Sequence, residues 1–206
     1  NLIRIRRGLY ATVPRGLSPE DVQVDPYLLA TKLTDDAVVA YHAALQFHGK
    51  VYSVWRRFHY LTRSRLRSFS FRDLEFVPVQ APAAVRSLPD FGGGIQEKPH
   101  AGGMARVTIL ERTLVDVLDV PQRCGGWEEV WRSLEMIEFF DLDAVIDYAS
   151  KLGSALTAAR LGFFLEQHRN ELMVEDHYLQ ALRAMAPSQP RYFDARRESG
   201  KLVAKW

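Results

Sequence analysis

A chain of 206 residues with 47% hydrophobic and 25% charged side chains has enough apolar material for one well-buried domain, which excludes wholesale disorder. No apolar run approaches the ~20 residues needed to cross a bilayer, and the single cysteine, Cys124, has no intrachain disulfide partner, so the expected compartment is the reducing cytoplasm. The net charge of +2 conceals a polarity, with +5 over residues 1–80 and −7 over residues 110–186, so one end suits a polyanion and the other repels it.

Residues 2–13, LIRIRRGLYATV, alternate Leu2, Arg4 and Arg6 against Ile3 and Ile5, turn at Gly8 and resume through Leu9, Tyr10 and Thr12. That pattern predicts a hairpin with a basic rim, in which Arg4, Arg6 and Arg7 are candidate phosphate contacts. An edge hairpin kept soluble by charge has the same pattern. Pro14 and Gly16 end it. Asp25 before Pro26 predicts a capped helix through Leu33. A second helix is expected at once, capped by Thr34 or Asp35, with Val38, Tyr41, Leu45 and His48 at helical spacing and Gly49 as its stop. His42 and His48 lie on different faces of such a helix, and no Cys or carboxylate completes a set, so no metal site is expected.

Residues 51–80 interleave strand-forming aromatics and β-branched residues with six arginines, which predicts an antiparallel basic sheet. Arg63, Arg65 and Arg67 project from one face if the chain is extended, and Phe69 and Phe71 continue the row. With Arg56 and Arg57 they form a second candidate DNA contact, although a strand pair with a solvated arginine face has the same pattern. Pro78 and Pro82 are expected to close this sheet. Residues 81–104 contain Gly92-Gly93-Gly94 and Gly102-Gly103 but neither phosphate-loop arrangement of glycines, so they read as a flexible connection between strands.

In residues 106–120, RVTILERTLVDVLDV, Thr108 and Glu111 form a capping-box pattern, and Leu110, Leu114, Val117 and Leu118 give the helix a buried stripe. Arg112 and Asp116, one turn apart, are expected to pair across the exposed face. Glu111 and Asp116 as magnesium-binding acids would point in different directions, so these four positions read as structural rather than catalytic. Acidic helices then follow. Gly125-Gly126 precede Trp127, Val130, Trp131 and Leu134; Asp141 caps Leu142, Val145, Ile146, Ala149 and Leu152; residues 154–168 carry Leu156, Ala159 and Phe163, with Gly162 for close packing. Residues 174–185 present Tyr178, Leu182 and Met185. The two tryptophans fit a core face, or alternatively a partner face. Cys124 has no companion histidine at readable spacing and is not expected to be a nucleophile. Residues 191–193 and 201–206 read as two strand-like pieces joined through Ser199-Gly200. No Ser/His/Asp order, HExxH, CxxC or P-loop occurs, so neither enzymatic chemistry nor a cofactor is predicted.

Several of these stretches in combination carry a likeness: RIRRGLYA (4–11), DPYLLATKL (25–33), AVVAYHAALQFHG (37–49), VTILERTLVDVLDVP (107–121), GGWEEVWRSLE (125–135) and SALTAARLGFFLEQH (154–168). Together they resemble the AbiEi-type antitoxin family of abortive-infection toxin–antitoxin systems, over nearly the whole chain. The resemblance implies an α+β chain in which residues 1–16 are the end of a winged-helix wing and residues 17–206 the antitoxin C-terminal domain, with a helical cluster at its end. The recognition helix of such a winged helix would precede Asn1. The implied function is a DNA-binding transcriptional autorepressor that binds inverted repeats in its own promoter and opposes a nucleotidyltransferase-fold toxin. Such antitoxins are thought to act without a lasting complex, which leaves direct toxin contact open, and the alternative is a protein-interaction module acting on the toxin without DNA. The family offers no catalytic residues; by position, Arg4, Arg6 and Arg7 match the wing.

Overall fold

A computed structural model describes residues 1–189 and 206. The predicted hairpin is present: β1 (Leu2–Arg6) pairs antiparallel with β2 (Leu9–Thr12) across Arg7 and Gly8, and Gly8 takes the positive φ of 82° that this turn needs. Leu2, Arg4, Tyr10 and Thr12 face out. Ile5 and Leu9 face in and pack on the core of the main domain, and Arg6 donates to the Leu33 carbonyl. The hairpin is thereby fastened to the main domain. Helix α1 (Pro26–Thr31) starts as expected, with the Asp25 carboxylate accepting the Leu28 amide at 2.8 Å and Pro26 where a missing N–H is harmless.

The helix expected over residues 34–48 is shorter, because its first part is a strand. Val38 and Val39 form β3 (Val38–Val39) in the middle of a sheet, and α2 (His42–Phe47) begins only after Tyr41. Both valines are fully buried, one on each face of the sheet. A two-residue strand buried on both faces carries no periodicity to read.

The remaining strands are β4 (Arg57–Thr62), β5 (Phe69–Phe71), β6 (Leu74–Gln80), β7 (Ile95–His100) and β8 (Gly103–Thr108), with α3 (Ala83–Arg86) and a 3-10 turn, Pro89–Gly92, between β6 and β7. They assemble in the order β5-β6-β4-β3-β8-β7. The sheet is mixed rather than antiparallel: β4 runs parallel to β6 and β3 parallel to β8. Pro78 lies inside β6 instead of closing it. This is possible because β5 pairs only with Leu74 to Phe76, so the outer side of β6 beyond that point needs no donor. Residues 81–104 supply α3 and an edge strand, not a flexible connection, and β7 turns into β8 through Ala101 and Gly102, both at positive φ as a tight hairpin requires.

Helices α4 (Leu110–Asp119), α5 (Trp127–Leu134), α6 (Leu142–Leu152), α7 (Ala155–Gln167) and α8 (Asp176–Met185) appear where the hydrophobic pattern places them. Asp141 caps α6, accepting the Asp143 and Ala144 amides, and Ser154 caps α7. They cover one face of the sheet and bury Leu61, Val79, Leu114, Leu118, Leu161 and Leu182; α1 and the hairpin cover the other, over Val39, Phe58, Tyr60, Phe76 and Val107. Gly162 is where the Trp206 ring seats, and that indole donates to Glu166 at 2.9 Å. The strand-like pieces expected in the tail lie outside the described residues apart from Trp206.

Two expectations about the Glu111-Arg112-Thr113 segment are corrected. No capping box forms, because β8 continues to Thr108 and Ile109 begins α4 without a side-chain cap. The Thr108 hydroxyl instead meets that of Thr113 at 2.7 Å, and Glu111 accepts the Asp141 amide at 3.1 Å. Arg112 and Asp116 do pair, at 3.3 Å, but in the interior, with side-chain exposures of 0% and 1%. Arg112 also donates to the Gly93 carbonyl at 2.5 Å and lies 4.5 Å over the Tyr148 ring, while the Tyr148 hydroxyl donates to Asp116 at 2.8 Å. A side chain at Gly94 would place its Cβ 2.9 Å from that of Arg112, so this glycine serves a close approach rather than flexibility.

Removing one partner of a buried pair strands the other charge. Asp116→Ala is therefore expected to lose about 3–5 kcal/mol in urea denaturation, whereas Asp147→Ala, which breaks the exposed pair with Lys151, should lose about 0.5 kcal/mol or less. Stability should also depend on pH through His59 of β4. Burial first, then Arg123 and Arg57, push its imidazole from 6.5 to about 4. Between those values the unfolded chain takes up a proton that the folded one refuses. This residue's contribution is expected to be complete above pH 6.5 and to be lost by about 3 kcal/mol towards pH 4, and His59→Gln should reduce the decline by that amount, leaving the part due to the other buried histidines, His42 and His48.

Candidate nucleic-acid interface

The arginine-rich segment is sorted by how β4 ends. The Thr62 hydroxyl and the Arg63 amide both donate to the Asp36 carboxylate at 2.7 Å, and the Thr34 hydroxyl donates to it at 2.8 Å. Burial opposes ionisation of Asp36, but these hydrogen bonds outweigh it and hold the carboxyl below the usual carboxylate range. The backbone leaves the sheet at this clamp. Arg63, Arg65 and Arg67 consequently do not share a strand face; they lie in the connection between β4 and β5. Arg63 turns back, donating to the Arg86 and Leu88 carbonyls at 3.0 Å each and covering the Phe91 ring at 4.2 Å. Arg65 and Arg67 are exposed.

The other arginines of the segment are also engaged. Arg56 pairs with Asp73, and Arg57 donates to Glu75 at 2.7 Å; both pairs sit at the far end of β4, beside an open cleft of about 500 Å³. Arg72 holds the loop before α1 through the Pro19 and Val22 carbonyls at 2.8 and 2.5 Å.

On the hairpin, Arg4 and Arg7 are exposed, and among the described residues only Arg6 is occupied, at Leu33. Leu33 adjoins Thr34, whose hydroxyl lies 3.3 Å from that of Thr62. These contacts put the hairpin turn beside the start of the β4–β5 connection, which then runs back along the sheet edge to Phe69, level with Phe76 and Phe58. Arg7 at the hairpin turn, Arg4 on β1 and Arg65 and Arg67 in the connection are exposed, as are Tyr10, Leu66, Lys32 and Asp35. Guanidinium groups free to turn outward beside aromatic and apolar surface can hold phosphates and stack on bases.

Thr108, Glu111, Arg112 and Asp116 lie at the junction of the sheet and the acidic helices, where their contacts are internal. Among the described residues no three His, Cys, Asp or Glu side chains gather as a metal set. Cys124 is fully buried, and burial pushes its thiol up. The residue that sequence reasoning missed is Asp36. Its signal was present in Thr34-Asp35-Asp36, a hydroxyl and a carboxylate two residues apart, which is a turn pattern as much as a helix start.

Because Arg63 packs and hydrogen-bonds while its neighbours do not, Arg63→Ala is expected to lose about 1–2 kcal/mol in urea denaturation, and Arg65→Ala and Arg67→Ala about 0.5 kcal/mol or less each. No protein-family model matches the chain, and no curated protein matches it.

Proposed function

We propose that the chain is a DNA-binding transcriptional autorepressor and antitoxin, acting in the cytoplasm on inverted repeats of its own promoter and opposing a nucleotidyltransferase-fold toxin. The observation that carries the DNA contact is that Arg4 and Arg7 on the hairpin and Arg65 and Arg67 in the β4–β5 connection are exposed, none with a carboxylate partner among the described residues. Arginines kept solvated and uncompensated are suited to displace counterions from a phosphate backbone. The −7 charge of residues 110–186 orients that contact by repelling the same polyanion. The antitoxin role rests on the stretches that resemble the AbiEi-type family.

Salt dependence tests the contact. Each phosphate neutralised adds about 0.9 to the slope of log affinity against log salt, so Arg65→Ala with Arg67→Ala should reduce the slope by about 2. Arg56→Ala with Arg57→Ala, whose groups are already paired, should leave it nearly unchanged. Equal slopes for the wild type and the Arg65/Arg67 variant overturn the reading.

The second reading is a protein-interaction module acting directly on the toxin. It is favoured by the segment between α5 and α6, where Met136 and Phe139 are 44% and 66% exposed, each directly after an acidic residue, Glu135 and Glu138. Such a rim suits a basic, apolar-centred partner. Calorimetry with the toxin encoded beside it decides: heat lost on Phe139→Ala supports this reading, and no binding removes it.

A further inference from the structure

Residues 63–70, RSRLRSFS, interleave three arginines with three serines, and the fold treats the three hydroxyls differently. Ser64 sits at the Asp36 clamp, where its amide donates to the Thr62 hydroxyl at 3.1 Å. Ser70 is the middle residue of β5 and lies opposite Glu75 of β6. Ser68 is held by neither. It ends the stretch 65–68, which has no secondary structure and is exposed at every residue, and its hydroxyl has no hydrogen-bond partner among the described residues. Arg65 and Arg67 lie three residues and one residue before it, likewise without a partner among the described residues. Ser18 is the contrast: Arg15 precedes it by three residues, but its hydroxyl already donates to Asp21 at 2.6 Å.

An exposed, unengaged hydroxyl just after a pair of arginines is the substrate chemistry of an arginine-directed serine kinase. Such an enzyme draws its peptide extended into a cleft whose acidic side chains select upstream guanidinium groups. In an extended peptide alternate residues share a face, so Arg65 and Arg67 enter that cleft together. A stretch outside the sheet gives up no strand pairing in doing so. The segment that follows also yields readily, because β5 is a three-residue edge strand paired only with β6, and short edges open at little cost. Ahead of the stretch, Arg63 stays with the Arg86 and Leu88 carbonyls and fixes where the chain leaves the sheet.

We propose that Ser68 is a phosphorylation site for a serine kinase with an acidic peptide cleft, and that the phosphate placed there is clasped by Arg65 and Arg67. In the transfer the Ser68 Oγ attacks the γ-phosphorus of ATP, and the bond from that phosphorus to the β–γ bridging oxygen breaks. ADP leaves with the electron pair, and the hydroxyl proton passes to a carboxylate base of the kinase. The product carries about −1.5 to −2 charge at pH 7 and three strong acceptor oxygens. Guanidinium groups one and three residues away can give it charge-assisted hydrogen bonds. Because it is tethered to the same loop, this phosphate meets the two arginines at an effective concentration that a nucleic-acid phosphate in solution does not reach. The modification therefore withdraws both arginines from the proposed DNA contact. This last step rests on the DNA reading; the site and the clasp do not.

The site is tested on the full chain with ATP and protein kinase A, an arginine-directed serine kinase. Ser199, which follows Arg196 and Arg197 in the sequence but lies outside the described residues, is first removed as Ser199→Ala. Mass-spectrometric mapping should find phosphate on Ser68 ahead of Ser64 and Ser70, lost in Ser68→Ala and added about tenfold or more slowly in Arg65→Ala. The clasp is tested with phosphoserine encoded at position 68 and followed by phosphorus-31 NMR. Its second ionisation should fall below the usual value of about 6 and return to it with Arg65→Ala and Arg67→Ala. The same phosphorylated chain should bind a promoter duplex about tenfold or more weakly, with the salt slope reduced by about 2, and phosphate should cost nothing further in the double-arginine variant. No phosphate on Ser68, or an ionisation that the two arginines do not move, overturns the proposal. An unmodified chain that fails to bind the duplex removes the DNA reading and leaves the site and the clasp standing; equal binding with and without the phosphate overturns the regulatory step.

Discussion

The architecture depends on a guanidinium and a carboxylate buried together on one helix. Arg112 and Asp116 belong to α4, which leaves the sheet directly from β8 with only Ile109 between. Through Arg112 the helix grips the carbonyl of Gly93 and the turn that precedes β7; through Asp116 it grips Tyr148 of α6. One pair of side chains thus ties the edge of the sheet, the helix emerging from the strand beside that edge and the helical layer above. Taking both charges out of water is unfavourable unless nearly every lone pair and proton finds a partner, and here carbonyls, a phenol and an aromatic face supply most of them. Gly94 follows from that constraint, since the chain must pass against Arg112 there with no side chain of its own.

The same pair explains what the sequence conceals. An arginine and an aspartate one turn apart look like a solvated ion pair, because an amphipathic pattern sorts residues by type and cannot see a second layer closing over the polar face. Elements carried by local signals were legible: the alternation and Gly8 of the hairpin, the Asp25-Pro26 cap, the Asp141 and Ser154 caps, and the apolar stripes of the five later helices. Elements defined by distant partners were not. Val38 and Val39 become a strand only because β4 and β8 lie on either side, and the parallel pairing of β4 with β6 has no local code. The Gly-rich stretch concealed β7 for a related reason, since the glycines around an edge strand advertise turns more loudly than a short strand advertises itself.

For the candidate interface, the arginine count was visible and the allocation was not. Asp36, remote in sequence from residues 63–67, turns the backbone out of the sheet and splits the row that an extended chain would have made. Carboxylates and carbonyls then claim Arg56, Arg57, Arg63 and Arg72, so a segment rich in positive charge leaves Arg65 and Arg67 exposed and without a partner among the described residues. Exposure joined to lack of a partner, rather than arginine content, distinguishes a surface able to bind phosphate from one that merely stays soluble. The hairpin gains its place in the proposed interface the same way, from how Arg6 anchors it and leaves Arg4 and Arg7 turned to solvent.

Charge is segregated within this fold, and the proposed function places nucleic acid at the hairpin end and none on the acidic helices. Hydrogen–deuterium exchange of the full chain with and without a promoter duplex addresses it directly. Protection is expected in residues 2–12 and 63–69, with α5 to α8 unchanged; protection confined to α5 to α8, or absent from both basic segments, contradicts it.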